Sequence, residues 1–275
     1  MKTTLTAITL AAMTVLAPLA SHAAVYNGNG ANGFGGGGPG PVGNGALTVT
    51  STPSGSVTFS FLSGATGGTP AAPTLSGNAL ALYLDTAPGG LASTATLADN
   101  QDGGREAISG ANNGNTPPSR SLVTFAPGFT ANYAINFEDS FVGVFGLTPT
   151  SGATPTNLSF QFGQGQTTEP DTITLTAAQA ASIGITPGST FSFVGSLIST
   201  SAYRSNETIG ASTTVVDPTN LGAAPNAGFN GAVTFTGSDS FTLAPAPEPS
   251  GLASLLVGMA VLSGVIATRR RVSVK

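Results

Sequence analysis

The 275-residue chain is poor in charge, with 7% charged residues and a formal net charge of −4, and it contains no cysteine. The lack of cysteine excludes disulfides, thiolate catalysis and cysteine-based metal sites. Residues 24–243 contain eleven acidic residues, three arginines and no lysine. Because binding nucleic acid requires a basic face, a nucleic-acid partner is not expected.

The N-terminus has the three parts of a secretory signal peptide. Lys2 precedes an apolar stretch over residues 5–19, and Ser21-His22-Ala23 presents small residues where signal peptidase reads the chain. We expect cleavage after Ala23, so that residues 1–23 are the signal and the remainder is exported. Cleavage there also removes His22, the only histidine, and with it histidine-based triads and zinc sites.

Residues 24–45 are mostly glycine, asparagine and proline, which predicts a flexible leader. The segment contains a Gly-x-Gly-x-x-Gly pattern at Gly28, Gly30 and Gly33. A dinucleotide site also needs a preceding strand, a following helix and a later acidic residue, and the sequence offers none of these. No nucleotide cofactor is therefore expected.

Residues 46–243 predict one domain of about ten short strands, because apolar and hydroxyl residues alternate between clusters of glycine, proline and asparagine. This pattern is typical of an all-β antiparallel sandwich, here expected to be jelly-roll-like. One short helix is predicted over residues 177–183. Thr176 and Gln179 form its capping box, and Gly184 ends it.

Acidic residues beside glycines offer a candidate metal site at Asp99 and Asp102. Hard cations such as calcium bind carboxylate and carbonyl oxygens on backbone that can bend. The alternative is a solvated turn in which Arg105 pairs with a neighbouring carboxylate.

Other charged residues suggest a ligand surface made by Asp85, Glu106, Arg204 and Glu207. For Arg204 and Glu207 the alternative is a structural ion pair. Glu138-Asp139 offers a third candidate, because glycoside hydrolysis needs two carboxyls about 5–10 Å apart. Neighbouring strand residues point to opposite faces, so Asp85 or Glu106 would have to supply the second carboxyl. The alternative is a polar hairpin tip.

Three segments resemble family 9 carbohydrate-binding modules and DOMON-like sandwiches. They are Tyr83-Leu84-Asp85-Thr86, the strand that begins near Asn132-Tyr133, and the capped helix followed by Ile183-Gly184-Ile185. The resemblance implies a β-sandwich and, as an alternative function, sugar binding. Asn132 stands where those families have aspartate, and the chain has no tryptophan for stacking on sugars.

The C-terminus predicts a membrane span. A proline-rich spacer over residues 244–250 contains Pro247-Glu248-Pro249, and residues 251–268 carry no charge. As a helix of about 27 Å, residues 251–268 would just cross a bilayer core. Arg269, Arg270 and Arg271 follow at once, which predicts that the tail, residues 269–275, is cytoplasmic.

The order of Pro-Glu-Pro motif, span and arginine cluster resembles the PEP-CTERM sorting signal of Gram-negative bacteria. In that family an exosortase, a membrane-embedded cysteine protease, is thought to cut near the motif. The resemblance implies an inner-membrane precursor that faces the periplasm and a mature protein at the cell surface or outside the cell. The alternative is a plain C-terminal anchor.

Together these features predict a non-enzymatic, exported surface or extracellular-matrix protein with a structural, adhesive or exopolysaccharide-associated role. A carbohydrate-binding module is the first alternative. A glycoside hydrolase that uses only carboxylates is the second.

Overall fold

The computed structural model describes residues 21–31, 40–64, 75, 77–112, 119–147, 158–199, 202–209, 219–220 and 231–246. Most of the predicted signal peptide, the Pro-Glu-Pro motif, the predicted span and the arginine cluster lie outside these residues. The strands are β1 His22–Asn27, β2 Ala46–Ser51, β3 Val57–Leu62, β4 Ala79–Asp85, β5 Ala111–Asn112, β6 Ser119–Arg120, β7 Leu122–Thr124, β8 Tyr133–Glu138, β9 Phe141–Gly146, β10 Ser159–Gly165, β11 Asp171–Leu175, β12 Thr190–Ile198, β13 Arg204–Ile209, β14 Thr219–Asn220, β15 Gly231–Thr234 and β16 Asp239–Thr242. The α-helices are α1 Gly103–Ser109 and α2 Ala177–Ser182, and Thr94–Thr96 form a 3₁₀ turn.

Two antiparallel sheets build the sandwich, which confirms the predicted all-β class. The outer sheet has the order β1-β2-β3-β11. The central sheet has the order β10-β9-β8-β4-β12-β13, and β16 also pairs with β12. A small third sheet, β14-β15-β7, contains the parallel pair β7 and β15.

The middle of the central sheet is buried on both faces, as β4 shows. Along β4, Leu80, Leu82 and Leu84 face the main core between the two sheets, whereas Ala81 and Tyr83 face a second core. The second core is closed by α1 and the small sheet, and it includes Ile108 of α1, Val123 of β7, Val233 of β15 and two phenylalanines of the loop after β7, Phe125 and Phe129. Because side chains alternate across a strand, a strand between two cores is apolar at nearly every position.

The flexible leader predicted for residues 24–45 is wrong for residues 24–31 and 40–45. β1 pairs with β2 over its whole length, and Tyr26 donates a hydrogen bond of 2.6 Å to the Ser240 carbonyl. Val42 is fully buried. A Cβ at Gly28 would lie 1.9 Å from the Val42 carbonyl oxygen, so glycine here permits close backbone packing rather than flexibility.

The predicted helix is confirmed at α2, where Thr176 and Gln179 form the capping box in both directions. The structure adds α1, which the sequence pattern did not predict. Asp102 caps its N-terminus, and Gly110 ends it in the left-handed conformation at φ 70°. The Gly103-Gly104 pair at its start has poor helix propensity, so the sequence pattern does not predict this helix.

Within the described part of the chain, no helix has both the length and the apolar character needed to cross a bilayer. The predicted cleavage after Ala23 falls inside β1. It would leave residues 24–27 of β1, whose partners are Val49, Thr48, Leu47 and Ala46.

Candidate functional site

The two aspartates favoured for calcium, Asp99 and Asp102, both contact Arg105. The Arg105 Nε lies 3.5 Å from Asp99 Oδ2, and its Nη1 binds Asp102 Oδ2. Asp99 Oδ2 also accepts from the Leu158 backbone at 2.7 Å, while Asp102 Oδ1 caps α1. Of the alternative stated from sequence, the pairing of Arg105 with a neighbouring carboxylate is confirmed, whereas the solvated turn is wrong at Asp99, which is buried. A protein cation thus occupies the position proposed for calcium.

Arg204 does not belong to a ligand surface, because it is completely buried. Its Nη2 donates to Tyr83 Oη at 2.6 Å and to the Ala107 and Ile108 carbonyls at 2.8 and 3.1 Å, while Nη1 donates to Ser196 Oγ. The carbonyls belong to the last turn of α1, where a cation satisfies orphan acceptors and the helix dipole. Burial lowers the pKa of Arg204 and raises that of Tyr83.

Glu207 is also a structural residue rather than a surface one, with 1% of its area exposed. Its Oε2 accepts from the backbone N–H groups of Val42 and Gly43, each at 3.0 Å. Arg204 and Glu207 therefore do not form the ion pair given as the alternative, and each has a separate role. Arg204 holds α1 against the central sheet, and Glu207 holds residues 42–43 against β13.

The segments that resemble carbohydrate-binding modules do meet in space. Asp85 Oδ2 accepts from the Thr130 backbone at 2.9 Å, and Asn132 Oδ1 accepts from the backbones of Thr86 and Ala87 at 3.0 Å. Asp85, Thr86, Ala87 and Thr130 border an open cavity of 520 Å³ that Thr190 and Ser192 also line. No aromatic side chain lines it among the residues the structure describes. The side chains of Asp85 and Asn132, which carry the resemblance, therefore bind the backbone of two loops, at Thr130 and at Thr86-Ala87.

A second cavity, of 370 Å³, brings Glu106 and Glu138 together with Asp139. Asp85 lies at the other cavity, so it is not the partner of Glu138. Burial raises the pKa of Glu138, as do nearby Asp102 and Asp139, whereas the hydrogen bond from Asn136 Nδ2, at 2.7 Å, lowers it. Three carboxyl groups, those of Glu106, Glu138 and Asp139, therefore line one cleft.

Sequence reasoning missed an acidic cluster formed by Asp139, Glu169 and Asp171. Each residue places one carboxylate oxygen within 4.8 Å of an oxygen of each of the other two. Asp139 occupies the turn between β8 and β9, Glu169 lies in the loop before β11, and Asp171 begins β11. About 30 residues separate Asp139 from the other two, so only the fold shows their convergence. The sequence signal is limited to Glu169-Pro170-Asp171 directly before a strand.

The acidic cluster is electrostatically unfavourable as it stands. Asp171 is 1% exposed, and burial, followed by repulsion from Glu169 and Asp139, raises its pKa to about 7. Burial also raises the pKa of Glu169, against the hydrogen bond from Ser63. Asp171 Oδ2 and Glu169 Oε2 are buried without a hydrogen-bond partner among the described residues.

The outward face of the outer sheet carries rows of hydroxyl groups on β2, β3 and β11. Two cross-strand rows, defined here as the hydroxyl face, contain Thr50, Thr58 and Thr174 in one row and Thr48, Ser60 and Thr172 in the other. Thr58 and Thr174 hydrogen-bond at 3.0 Å, as do Ser60 and Thr172. The hydroxyl face thus offers many donors and acceptors and no charge.

The chain matches no protein-family model, no curated protein and no solved structure. Functional inference therefore depends on the residues themselves.

Proposed function

We propose that this chain is a non-enzymatic, exosortase-sorted β-sandwich protein of the cell surface or extracellular matrix, where its hydroxyl face associates with neutral polysaccharide. The hydroxyl face is the observation that carries the polysaccharide role. Ordered rows of hydroxyls suit hydrogen bonding to sugars, and the lack of charge there suits a neutral polymer. The buried roles of Arg204 and Glu207 support a structural use of the few charges.

The proposed sorting route has two steps. Signal peptidase removes residues 1–23, and an exosortase acts at Pro247-Glu248-Pro249 while the span of residues 251–268 holds the precursor in the inner membrane. The end of the sandwich supports this order, because Ala244 is 7% exposed whereas Pro245 and Ala246 are exposed. The motif would thus begin just beyond the folded domain, within reach of a membrane protease.

Sorting is tested by deleting residues 247–249 in the native host and following the protein by fractionation and intact-mass measurement. The native chain is expected to lose its C-terminal segment and leave the membrane, whereas the deletion variant stays as a membrane-bound precursor. Pro245→Ala, just upstream, serves as the control and should be processed normally. Unchanged processing and location in the deletion variant would show that the motif is no sorting signal.

The polysaccharide role is tested with Thr58→Val and Thr174→Val together, since valine keeps the shape and strand propensity of threonine. We expect the variant to lose most binding to neutral exopolysaccharide in co-sedimentation, with its melting temperature unchanged. Thr190→Val with Thr242→Val is the matched control, because these residues form another exposed cross-strand hydroxyl pair, at 2.7 Å. Equal binding by both double variants would refute the hydroxyl face as the binding surface.

A second candidate function, glycoside hydrolysis, is favoured by one observation. Glu106 and Glu138 line the same cavity, and the raised pKa of Glu138 suits a general acid. Screening the protein against polysaccharides for released reducing ends, with Glu138→Gln as the comparison, tests it. Release by the native protein that disappears in Glu138→Gln would favour the enzyme over the binding protein.

A further inference from the structure

We propose that Asp139, Glu169 and Asp171 bind one calcium ion that fastens the two sheets of the sandwich together. This goes beyond the proposed function, which does not depend on a metal. The ligand oxygens come from one residue in the turn of a central-sheet hairpin, one in the connecting loop and one on an outer-sheet strand. A cation held by all three would therefore link the sheets directly.

The spacing of the acidic cluster suits a calcium ion. Calcium binds oxygens at about 2.3–2.6 Å, so two oxygens on one ion lie no more than about 5 Å apart. One oxygen from each residue of the acidic cluster meets this condition, because the three oxygens lie within 4.8 Å of one another. Carboxylates are hard ligands, and a site without histidine or cysteine does not favour zinc or copper.

An independent observation also points to a ligand at this place. Asp171 is 99% buried, and both its Oδ2 and Glu169 Oε2 have no hydrogen-bond partner within the described ranges. An oxygen of this kind is costly to bury unless something replaces the lost water. The two arginines with described side chains bind elsewhere, Arg105 at Asp99 and Asp102, and Arg204 at α1. Neither of these arginines therefore neutralises the acidic cluster.

Asp139 and Glu169 are held in place before any ion arrives. Asp139 accepts from the Leu75 backbone at 2.7 Å and from the Gly77 backbone at 3.3 Å, and Glu169 Oε1 accepts from Ser63 Oγ at 3.0 Å. Each carboxylate oxygen keeps a further lone pair after such a bond, so these contacts orient ligands without using them up.

Gln166 fixes the two segments that carry the ligands. Its side chain donates to the Thr172 carbonyl and accepts from the Thr172 backbone N–H, at 2.8 and 3.0 Å. Its own backbone N–H donates to the Ser140 carbonyl at 2.9 Å. Gln166 thus ties the neighbour of Asp139 to the neighbour of Asp171, which keeps the ligands from spreading apart.

The proposal is tested by titrating the full-length protein, freed of metal with EDTA and then dialysed, with calcium chloride in a calorimeter. We expect one ion per chain, with a dissociation constant of about 10⁻⁴ to 10⁻³ M as in other extracellular calcium modules. Thermal unfolding in about 10 mM calcium should show a higher midpoint, since this concentration favours the folded state about 10- to 100-fold. Magnesium is expected to bind more weakly, because it requires a stricter octahedral geometry.

The test variants are Asp171→Asn and Glu169→Gln, which keep side-chain shape and remove charge. Each should weaken calcium binding at least about tenfold. Asp171→Asn should remain folded in EDTA, since it relieves repulsion, so its loss of binding would not be a loss of fold. Asp102→Asn is the matched control, because asparagine caps a helix as well as aspartate does.

Three results would overturn the proposal. If Asp102→Asn lost calcium and Asp171→Asn kept it, the site would be the one at Asp99 and Asp102. If native protein showed no heat of binding and no shift of its unfolding midpoint with calcium, the acidic cluster would bind no calcium. Equal affinity for magnesium would reject calcium as the specific occupant. None of these results affects the test of polysaccharide binding to the hydroxyl face. The calcium proposal and the proposed function can therefore fail independently of each other.

Discussion

Replacing Arg204 with alanine should destabilise the fold strongly, because this buried side chain joins three elements. Its guanidinium donates to Ser196 on β12, to Tyr83 on β4 and to two carbonyls of α1. A large buried side chain cut to alanine costs about 2–5 kcal/mol through the cavity it leaves. The Ala107 carbonyl would also lose its Arg204 donor, which costs about 1–3 kcal/mol.

Removal of a buried charge offsets part of this loss. We therefore expect Arg204→Ala to lower the free energy of unfolding by about 3 kcal/mol. Arg204→Met keeps most of the side-chain volume and should cost about 1 kcal/mol, mainly from the orphaned carbonyl. The difference between the two variants measures the packing contribution.

The assay is urea unfolding followed by circular dichroism, together with hydrogen exchange of the α1 amides. Exchange in α1 should accelerate more than exchange in the outer sheet. Val25→Thr is the control, since that side chain is 60% exposed and the substitution should change the free energy of unfolding by about 0.5 kcal/mol or less. A change of less than about 1 kcal/mol in Arg204→Ala, or a greater loss in Arg204→Met than in Arg204→Ala, would refute the reasoning.

The pH dependence of stability should identify the buried carboxyl of Asp171. Its pKa is about 7 in the folded state against an ordinary 3.8, so without metal its stabilising effect is complete below pH 3.8 and is lost as the pH rises to 7. In EDTA, the free energy of unfolding of Asp171→Asn in urea should decline less over this pH range, and an unchanged decline would contradict the prediction. Gly110→Ala should cost about 2–4 kcal/mol, because the left-handed backbone is unfavourable and the new Cβ would lie 2.4 Å from the Ser121 carbonyl. Gly128→Ala, at φ 90° with open space, should cost only about 1 kcal/mol, and similar losses for both glycines would contradict the clash. Glu207→Ala should lose about 2–4 kcal/mol by leaving two buried N–H groups without their carboxylate acceptor, whereas Glu207→Gln should lose about 1 kcal/mol, and thermal melts showing no difference between the two would contradict that role.

The strands with clear alternation could be predicted from the sequence. Alternating apolar and hydroxyl residues predict a strand from Val57 to Phe61, which lies within β3. The apolar run over residues 79–84 predicts another, which lies within β4. β13 was missed because Arg204, Ser205 and Glu207 are polar yet buried. Their burial depends on partners elsewhere in the chain, at Tyr83 and Val42, which no local pattern reveals.

Composition misled the prediction where glycine was involved. Glycine and asparagine made residues 24–45 look like a linker, but at Gly28 glycine allows two backbones to approach closely. Glycine can thus indicate either a flexible segment or close backbone packing, and only the contacts in the folded protein distinguish the two.

The sequence shows that any candidate site must be built from carboxylates, because the mature chain is expected to contain neither cysteine nor histidine. It does not show which carboxylates lie together in the fold. Asp99 and Asp102 stand beside glycines in one short segment, which makes them the candidate pair, yet both contact Arg105. Asp139 and Asp171 lie on different sheets and meet only because the β10–β11 connection returns beside the β8–β9 turn. Sequence distance is a poor guide to ligand sets in a sandwich, where most contacts join distant segments.

Several charged residues of this fold have the same role, which is to hold separate elements of the sandwich together. Arg204 satisfies the end of α1, Glu207 holds residues 42–43, and Asp99 pairs with Arg105, so each of these charges joins elements of the sandwich. The hydroxyl face, by contrast, carries no charge. A calcium ion at Asp171 would follow the same rule, because it would neutralise the buried carboxylate and connect the two sheets where the chain has no disulfide.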